Sequence, residues 1–100
     1  MGGTGKSVVV TYLIDLLQKT KTLATLSRGY GRKTKGLRIA NNNDNASTLG
    51  DEPFQFLNRY SNLSVIVSEN RVIGMESVKT LNPIPEVVIM DDIMQHRWVK

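Results

Sequence analysis

Gly2, Gly3, Thr4, Gly5, Lys6 and Ser7 stand directly ahead of a stretch of regularly spaced apolar residues, and that junction constrains the chain more than any bulk property. The six residues match the last part of the pattern GxxxxGK[ST], whose first position would fall before Met1. Glycines let successive N–H groups turn inward without Cβ clashes, and a following helix adds the partial positive charge of its amino end. Together they favour a bound polyphosphate. Lys6 would reach the terminal phosphates and the Ser7 hydroxyl would be a ligand of Mg²⁺. The competing reading, a flexible Gly-rich end that precedes a helix by chance, is the weaker one because GK[ST] sits in the context the pattern requires. Such a loop ordinarily joins a buried strand to a helix, and no strand-forming run stands before residue 2. Residues 1–100 therefore read as a partial nucleotide-binding domain without a second domain, and as a piece of a longer protein.

Beyond the loop, Val8, Val9, Tyr12, Leu13, Leu16 and Leu17 recur at helical spacing and predict a helix over about 6–19 with one broad apolar face. Residues 22–27 (TLATLS) predict a strand, and the Gly-rich, basic stretch 28–36 a loop. Residues 37–40 suit a short edge strand, and the polar run 41–48 an exposed loop whose side chains bond their own backbone. Gly50, Asp51, Glu52 and Pro53 mark a helix start running to about Tyr60, with Asp51 as the cap. LSVIV at 63–67 predicts a strand, 69–81 a helix ended by Asn82–Pro85, and 87–90 a last strand. Strands alternating with helices argue for an α/β fold, a parallel sheet with flanking helices.

Composition narrows the partners. The chain has 40% hydrophobic and 22% charged residues, too apolar for a disordered segment. No apolar run reaches the roughly 18 residues needed to span a bilayer, and no signal-peptide pattern opens the chain. The absence of cysteine removes thiol nucleophiles and Cys-based zinc sites and fits a reducing, cytoplasmic compartment. A net charge of +4 favours anionic partners. A nucleic-acid module is disfavoured, because the basic residues cluster in one short loop without an aromatic sheet pattern or a recognition helix.

Four apolar residues, Val87 to Met90, end in Asp91 and Asp92, a second phosphate-site signature in which either carboxylate would hold Mg²⁺ directly or through water. Taken alone, an Asp pair after a strand is more often a turn or cap; the Gly-rich loop in the same chain reverses that preference.

The segments GGTGKS, SRGYGRK at 27–33, GDEP at 50–53 and DDIMQHR at 91–97 occur in an order and spacing that resembles the tetraacyldisaccharide 4′-kinase family of lipid A biosynthesis. The resemblance covers nearly the whole chain. It implies a P-loop NTPase-like fold and ATP-dependent phosphorylation of the 4′ hydroxyl of a tetraacylated glucosamine disaccharide 1-phosphate, giving lipid IVA. It also implies Mg²⁺, and a location at the cytoplasmic face of the inner membrane of Gram-negative bacteria. By the same resemblance Asp51 is the catalytic carboxylate and Glu52 assists the metal. Arg28, Arg71, Gln95 and His96 contact substrate or phosphate. For Glu52, a first-turn acid favoured by the helix dipole is an equal alternative. Arg32, Lys33 and Lys35 read as a solvated loop. The chain departs from the family pattern at Val8, where Pro is common, and at Ile93 and Met94; none of these is a phosphate or metal ligand. Contact with the membrane surface, and a histidine that partners Asp51, belong to family segments absent from these residues. The 100 residues alone are therefore expected to be inactive, with a non-catalytic nucleotide-binding fragment or a decayed copy as the alternative to a kinase fragment.

Overall fold

The computed structural model describes the backbone of residues 2–90 and 95–98 and the side chains of residues 8–90. Its elements follow in the order α1 (Gly2–Leu17), β1 (Leu23–Ser27), β2 (Arg38–Ile39), α2 (Ala46–Leu49), α3 (Asp51–Arg59), β3 (Leu63–Val67), α4 (Arg71–Val78), β4 (Val87–Met90) and β5 (Gln95–Trp98). The strands form one sheet in the order β2-β3-β1-β4-β5. β3, β1 and β4 are parallel, with Leu23 level with Leu63 and Val87. The two outer strands run antiparallel, β2 on β3 and β5 on β4. The expected parallel sheet is present in β3, β1 and β4, with one antiparallel strand on each flank. β5 begins five positions after the end of β4, too close for the crossover that a parallel neighbour needs, so it runs antiparallel.

The core strands are short apolar runs because both sheet faces are covered. One face of β1 and its neighbours, through Leu23, Leu63, Val65, Val87 and Ile89, packs on Val10 and Ile14 of α1, on Phe56 of α3 and on Tyr60, which caps the carboxyl end of α3. The other face, through Ala24, Leu26, Ile66, Val88 and Met90, packs on Val78 of α4. Gly74 brings α4 close to β1, since a Cβ there would lie 2.5 Å from a Leu26 methyl. The Tyr60 hydroxyl donates to the Asp15 carboxylate at 2.9 Å and ties α3 to α1. Burial, and then that acidic neighbour, push the phenol above its ordinary pKa.

Several expectations are corrected. α1 begins at Gly2, not near Lys6, so residues 2–5 are helical where a loop was expected. Extending an established helix avoids the cost of nucleation, although each glycine gives up about 1 kcal/mol relative to alanine. The buried stripe of α1 is Val10 and Ile14, flanked by Leu13 and Leu17, whereas Val8, Val9, Tyr12 and Leu16 are exposed. α1 is apolar on two faces, and spacing alone does not choose between them. α4 starts after Asn70, whose side chain accepts from Ile73 N–H at 3.0 Å, so Glu69 lies outside the helix. Residues 41–48 are not an open loop. Asn45 and Thr48 form a reciprocal cap on α2, and Asp44 is buried beneath it. Burial alone would raise the Asp44 carboxyl. Hydrogen bonds from Arg38 at 2.6 Å, the Asn41 N–H at 3.0 Å and the Thr48 hydroxyl at 2.8 Å outweigh it and hold the group below the ordinary carboxylate range.

Candidate nucleotide and phosphate site

Chain direction decides where the site lies. α1 ends at Leu17, and a tight turn leads from it into the start of β1. Its amino end, with Gly2–Ser7, therefore lies toward the carboxyl ends of the strands. α3 likewise runs back toward the start of β3, which puts Asp51 at the same edge, and α4 starts there directly after β3. The chain leaves β1 toward β3 and later returns to β4 on β1's other side, so this edge is also a topological switch point, where open α/β sheets bind ligands. Three helix amino ends and three strand carboxyl ends share one rim, an electropositive arrangement suited to phosphate.

The sequence-predicted residues distribute along this rim. Gly2, Gly3, Thr4, Gly5, Lys6 and Ser7 form the first turns of α1. Arg28 is exposed immediately after β1, and Arg71 is exposed as the first residue of α4. Both line a small cleft with Ser27, Ser68 and Glu69 between the ends of β1 and β3. The Ser27 Oγ is buried there without a hydrogen-bond partner among the described residues. Gln95 stands level with Met90 at the carboxyl end of β4, and His96 is one step further from the rim, level with Ile89. Asp91 and Asp92 lie outside the described residues. Among the described residues no cluster of three or more metal-ligating side chains occurs.

Asp51 is not the cap that the sequence suggested. Gly50 is the N-cap of α3, with φ +95°, and Asp51 follows as the first helical residue, exposed and with no side-chain hydrogen bond or ion pair among the described residues. The reason is steric. A Cβ on Gly50 would lie 2.9 Å from the Tyr30 carbonyl oxygen, so only glycine can occupy the corner where this turn rests on the SRGYG loop. With the cap position taken by Gly50, the Asp51 carboxylate is left open at the rim. Glu52, half-buried, follows it in the same turn.

Sequence reasoning missed the group that joins these segments. Arg32, read as solvated, has a side chain only 2% exposed and pairs with Glu69 at 2.9 Å. Its two terminal nitrogens also donate to the Thr34 hydroxyl at 3.1 Å and the Gly36 carbonyl at 2.7 Å. Glu69 accepts from the Gly36 N–H at 2.9 Å. Its own backbone N–H, then Gly36, Arg32 and Arg28, hold this carboxyl below its ordinary range against a smaller opposing effect of burial. The only advance signal was an arginine amid glycines, which does not distinguish a buried staple from a solvated charge. A cavity of about 290 Å³, lined by Ile14, Gln18, Lys21 and Leu63, lies at the opposite end of the strands, away from all the sequence-predicted residues whose side chains are described.

An open, mostly parallel sheet with a GK[ST] helix start on its switch-point rim defines the P-loop nucleotide-binding class. The family profile described as tetraacyldisaccharide-1-P 4′-kinase matches residues 1–100, and the chain belongs to that family. It is 49% identical over its whole length to a tetraacyldisaccharide 4′-kinase of Flavobacterium psychrophilum and 47% identical to one of Flavobacterium johnsoniae. In each case it spans 29% of the relative's length. Among solved structures it resembles LpxK of Aquifex aeolicus, crystallised in complex with ATP, with a TM-score of 0.74 and 40% identity over 91% of this chain and 30% of that one.

Proposed function

We propose that this chain is the nucleotide-binding part of a kinase that transfers the γ-phosphoryl group of ATP to the 4′ hydroxyl of a tetraacylated glucosamine disaccharide 1-phosphate. The product is the 4′-phosphorylated lipid IVA. The observation that carries the reading is the open Asp51 carboxylate, held by a glycine corner on the rim toward which the amino end of α1 points. Asp51 accepts the proton of the sugar hydroxyl as its oxygen attacks the γ-phosphorus, and the bond from that phosphorus to the β-phosphate bridging oxygen breaks. The amides of Gly2, Gly3, Thr4 and Gly5 and the ammonium of Lys6 hold the polyphosphate, while Arg28, Arg71, Gln95 and His96 bind phosphate or substrate oxygens.

The donor set fits Mg²⁺, which takes few protein ligands, all oxygen, and shares the rest with phosphate and water. Two carboxylates, Asp51 and Glu52, begin α3 at the rim, and neither has an ion pair among the described residues. Ser7, Glu52, Asp91 and Asp92 would hold the ion, which when bound neutralises charge on the transferring phosphoryl group. No helix among the described residues is long and apolar enough to cross a membrane. We place the reaction at the cytoplasmic face of the inner membrane, where family segments outside this chain meet the lipid.

Because the chain spans 29% of its curated relatives, nucleotide binding without turnover is the second reading, and it applies to the chain alone. The purified chain is expected to bind Mg-ATP and to transfer no phosphate. A chimaera in which these residues replace their counterpart in the Flavobacterium psychrophilum relative is expected to phosphorylate the disaccharide lipid. Asp51→Ala in that chimaera should lower kcat by about 10²–10⁴-fold, the range typical of a lost general base. Near-normal turnover in this variant, followed with radiolabelled ATP, would reject Asp51 as the base.

A further inference from the structure

Arg32 joins the SRGYG loop to the residues that follow β3, beside the turn that carries Asp51. Its stem lies under the SRGYG loop, where a Cβ on Gly29 would be 2.7 Å from the Arg32 Cδ and 2.9 Å from the Leu49 carbonyl oxygen. The next contact in the same stack is Gly50 on Tyr30, and Asp51 follows Gly50. Beyond Arg32 the loop is tied to the turn before α3 by the Lys33 N–H donating to the Ser47 carbonyl at 2.7 Å and by the Thr34 hydroxyl donating to the Thr48 carbonyl at 2.6 Å. The guanidinium holds Thr34 and Gly36 within the loop and Glu69 at the end of β3, two residues before Arg71. Removing it would leave the Glu69 carboxylate with one backbone N–H from the loop and the weaker field of Arg28.

We infer that Arg32 is a positioning residue of the site, whose forked contacts to Glu69, Thr34 and Gly36 set where Asp51 stands relative to Arg28 and Arg71. This rests on the proposed kinase reading for its effect on turnover, and on the fold alone for its effect on the turn. The geometry is specific to a planar, multidentate donor. Lysine at position 32 keeps one charge for Glu69 and loses the simultaneous grip on Thr34 and Gly36. Displacing a general base by about 1 Å can cost two orders of magnitude in rate. The stem and the ion pair carry most of the packing, so lysine keeps the fold while releasing the turn.

The test uses Arg32→Lys in two settings. In the Flavobacterium chimaera, the variant should melt within about 2 °C of its parent, keep its KM for ATP within threefold, and lose about tenfold or more in kcat. In an Asp51→Asn background the same change should cause no further loss, since both act through one carboxylate. In the 100-residue chain itself, amide exchange should quicken at residues 29–31 and 49–52 and stay unchanged in β1, β3 and β4. Unchanged kcat, a loss that adds fully to that of Asp51→Asn, or unaltered exchange at both segments would each overturn the assignment. An inactive parent chimaera would count against the kinase reading, and the exchange measurement would then decide the role of Arg32 by itself.

Discussion

Single residues shape the rim through conformations that the sequence signals only in part. Gly50 and Gly31 both have positive φ, +95° and +82°, yet only Gly50 is also sterically enclosed, because nothing lies within 4 Å of a Cβ built at Gly31. Alanine at Gly31 should cost the left-handed strain alone, about 1–2 kcal/mol. Alanine at Gly50 should cost about 3 kcal/mol or more, since the turn must also part from the Tyr30 carbonyl. Urea unfolding of the two variants measures the difference, and equal losses would mean that the Gly29–Gly50 contact holds nothing. GDEP was legible as a helix start because acid and proline residues mark first turns, but the glycine as cap was not. That assignment depends on the Tyr30 carbonyl twenty residues earlier. Asp44 was illegible for a related reason, since its ligands Arg38, Asn41 and Thr48 converge only once the loop has closed. Its carboxyl, like that of Glu69, sits below its unfolded value, so the unfolded chain takes up the proton first on acidification. The stability it contributes is complete above about pH 4 and is lost as pH falls through the folded value. Asp44→Asn should therefore be less stable than the parent at neutral pH and lose less of its remaining stability under acid, as followed by denaturant midpoints across pH.

At the level of elements, the three central strands were legible because each is a short apolar run covered on both faces, and LSVIV and VVIM fall where the sequence placed them. Of the edges, β2 falls within the short edge strand expected at 37–40, whereas β5 lies within a segment whose polar composition suggested only a site. α1 shows the limit of periodicity most plainly. Val8, Val9, Tyr12 and Leu16 make as good a helical stripe as Val10, Leu13, Ile14 and Leu17, and the choice between them is made by the sheet, whose Leu23, Val65 and Ile89 receive the second set. The two stripes should respond differently to truncation. Ile14, fully buried, should cost about 2–5 kcal/mol as alanine, through lost transfer energy and the cavity left behind. Leu16, 58% exposed, should cost well under about 1 kcal/mol. Thermal melts of Ile14→Ala and Leu16→Ala check this, and a larger loss at Leu16 would mean that α1 seats its other face on the sheet.

Across the whole molecule, core and site are separable, and that separation yields a prediction. The two apolar layers on the sheet are built from β1, β3 and β4 with α1, α3 and α4, and among the described residues neither includes Arg28, Asp51, Glu52 or Arg71. Arg28, Asp51, Glu52 and Arg71 lie along the rim because β1 ends there and α3 and α4 start there. This arrangement also explains why four short motifs, far apart in sequence, pointed to one function before any contact was visible: each marks a strand end or a helix start, and the topology gathers those ends together. What the motifs could not supply was the role of Arg32, which stands within SRGYGRK but whose partners Thr34, Gly36 and Glu69 lie outside that segment. If core and site are separate, Lys6→Ala should leave the unliganded chain as stable as its parent and remove the stabilisation that nucleotide brings. At a ligand concentration a hundred times the parent's dissociation constant, that stabilisation is about 2.7 kcal/mol for a single site. Urea unfolding with and without Mg-ATP measures both quantities in one experiment. A parent chain that gains nothing from Mg-ATP would show that these residues do not form a nucleotide site by themselves. A Lys6→Ala chain that gains as much as the parent would move the phosphate contact away from Lys6. Loss of stability in the unliganded variant would instead show that the first turns of α1 belong to the core.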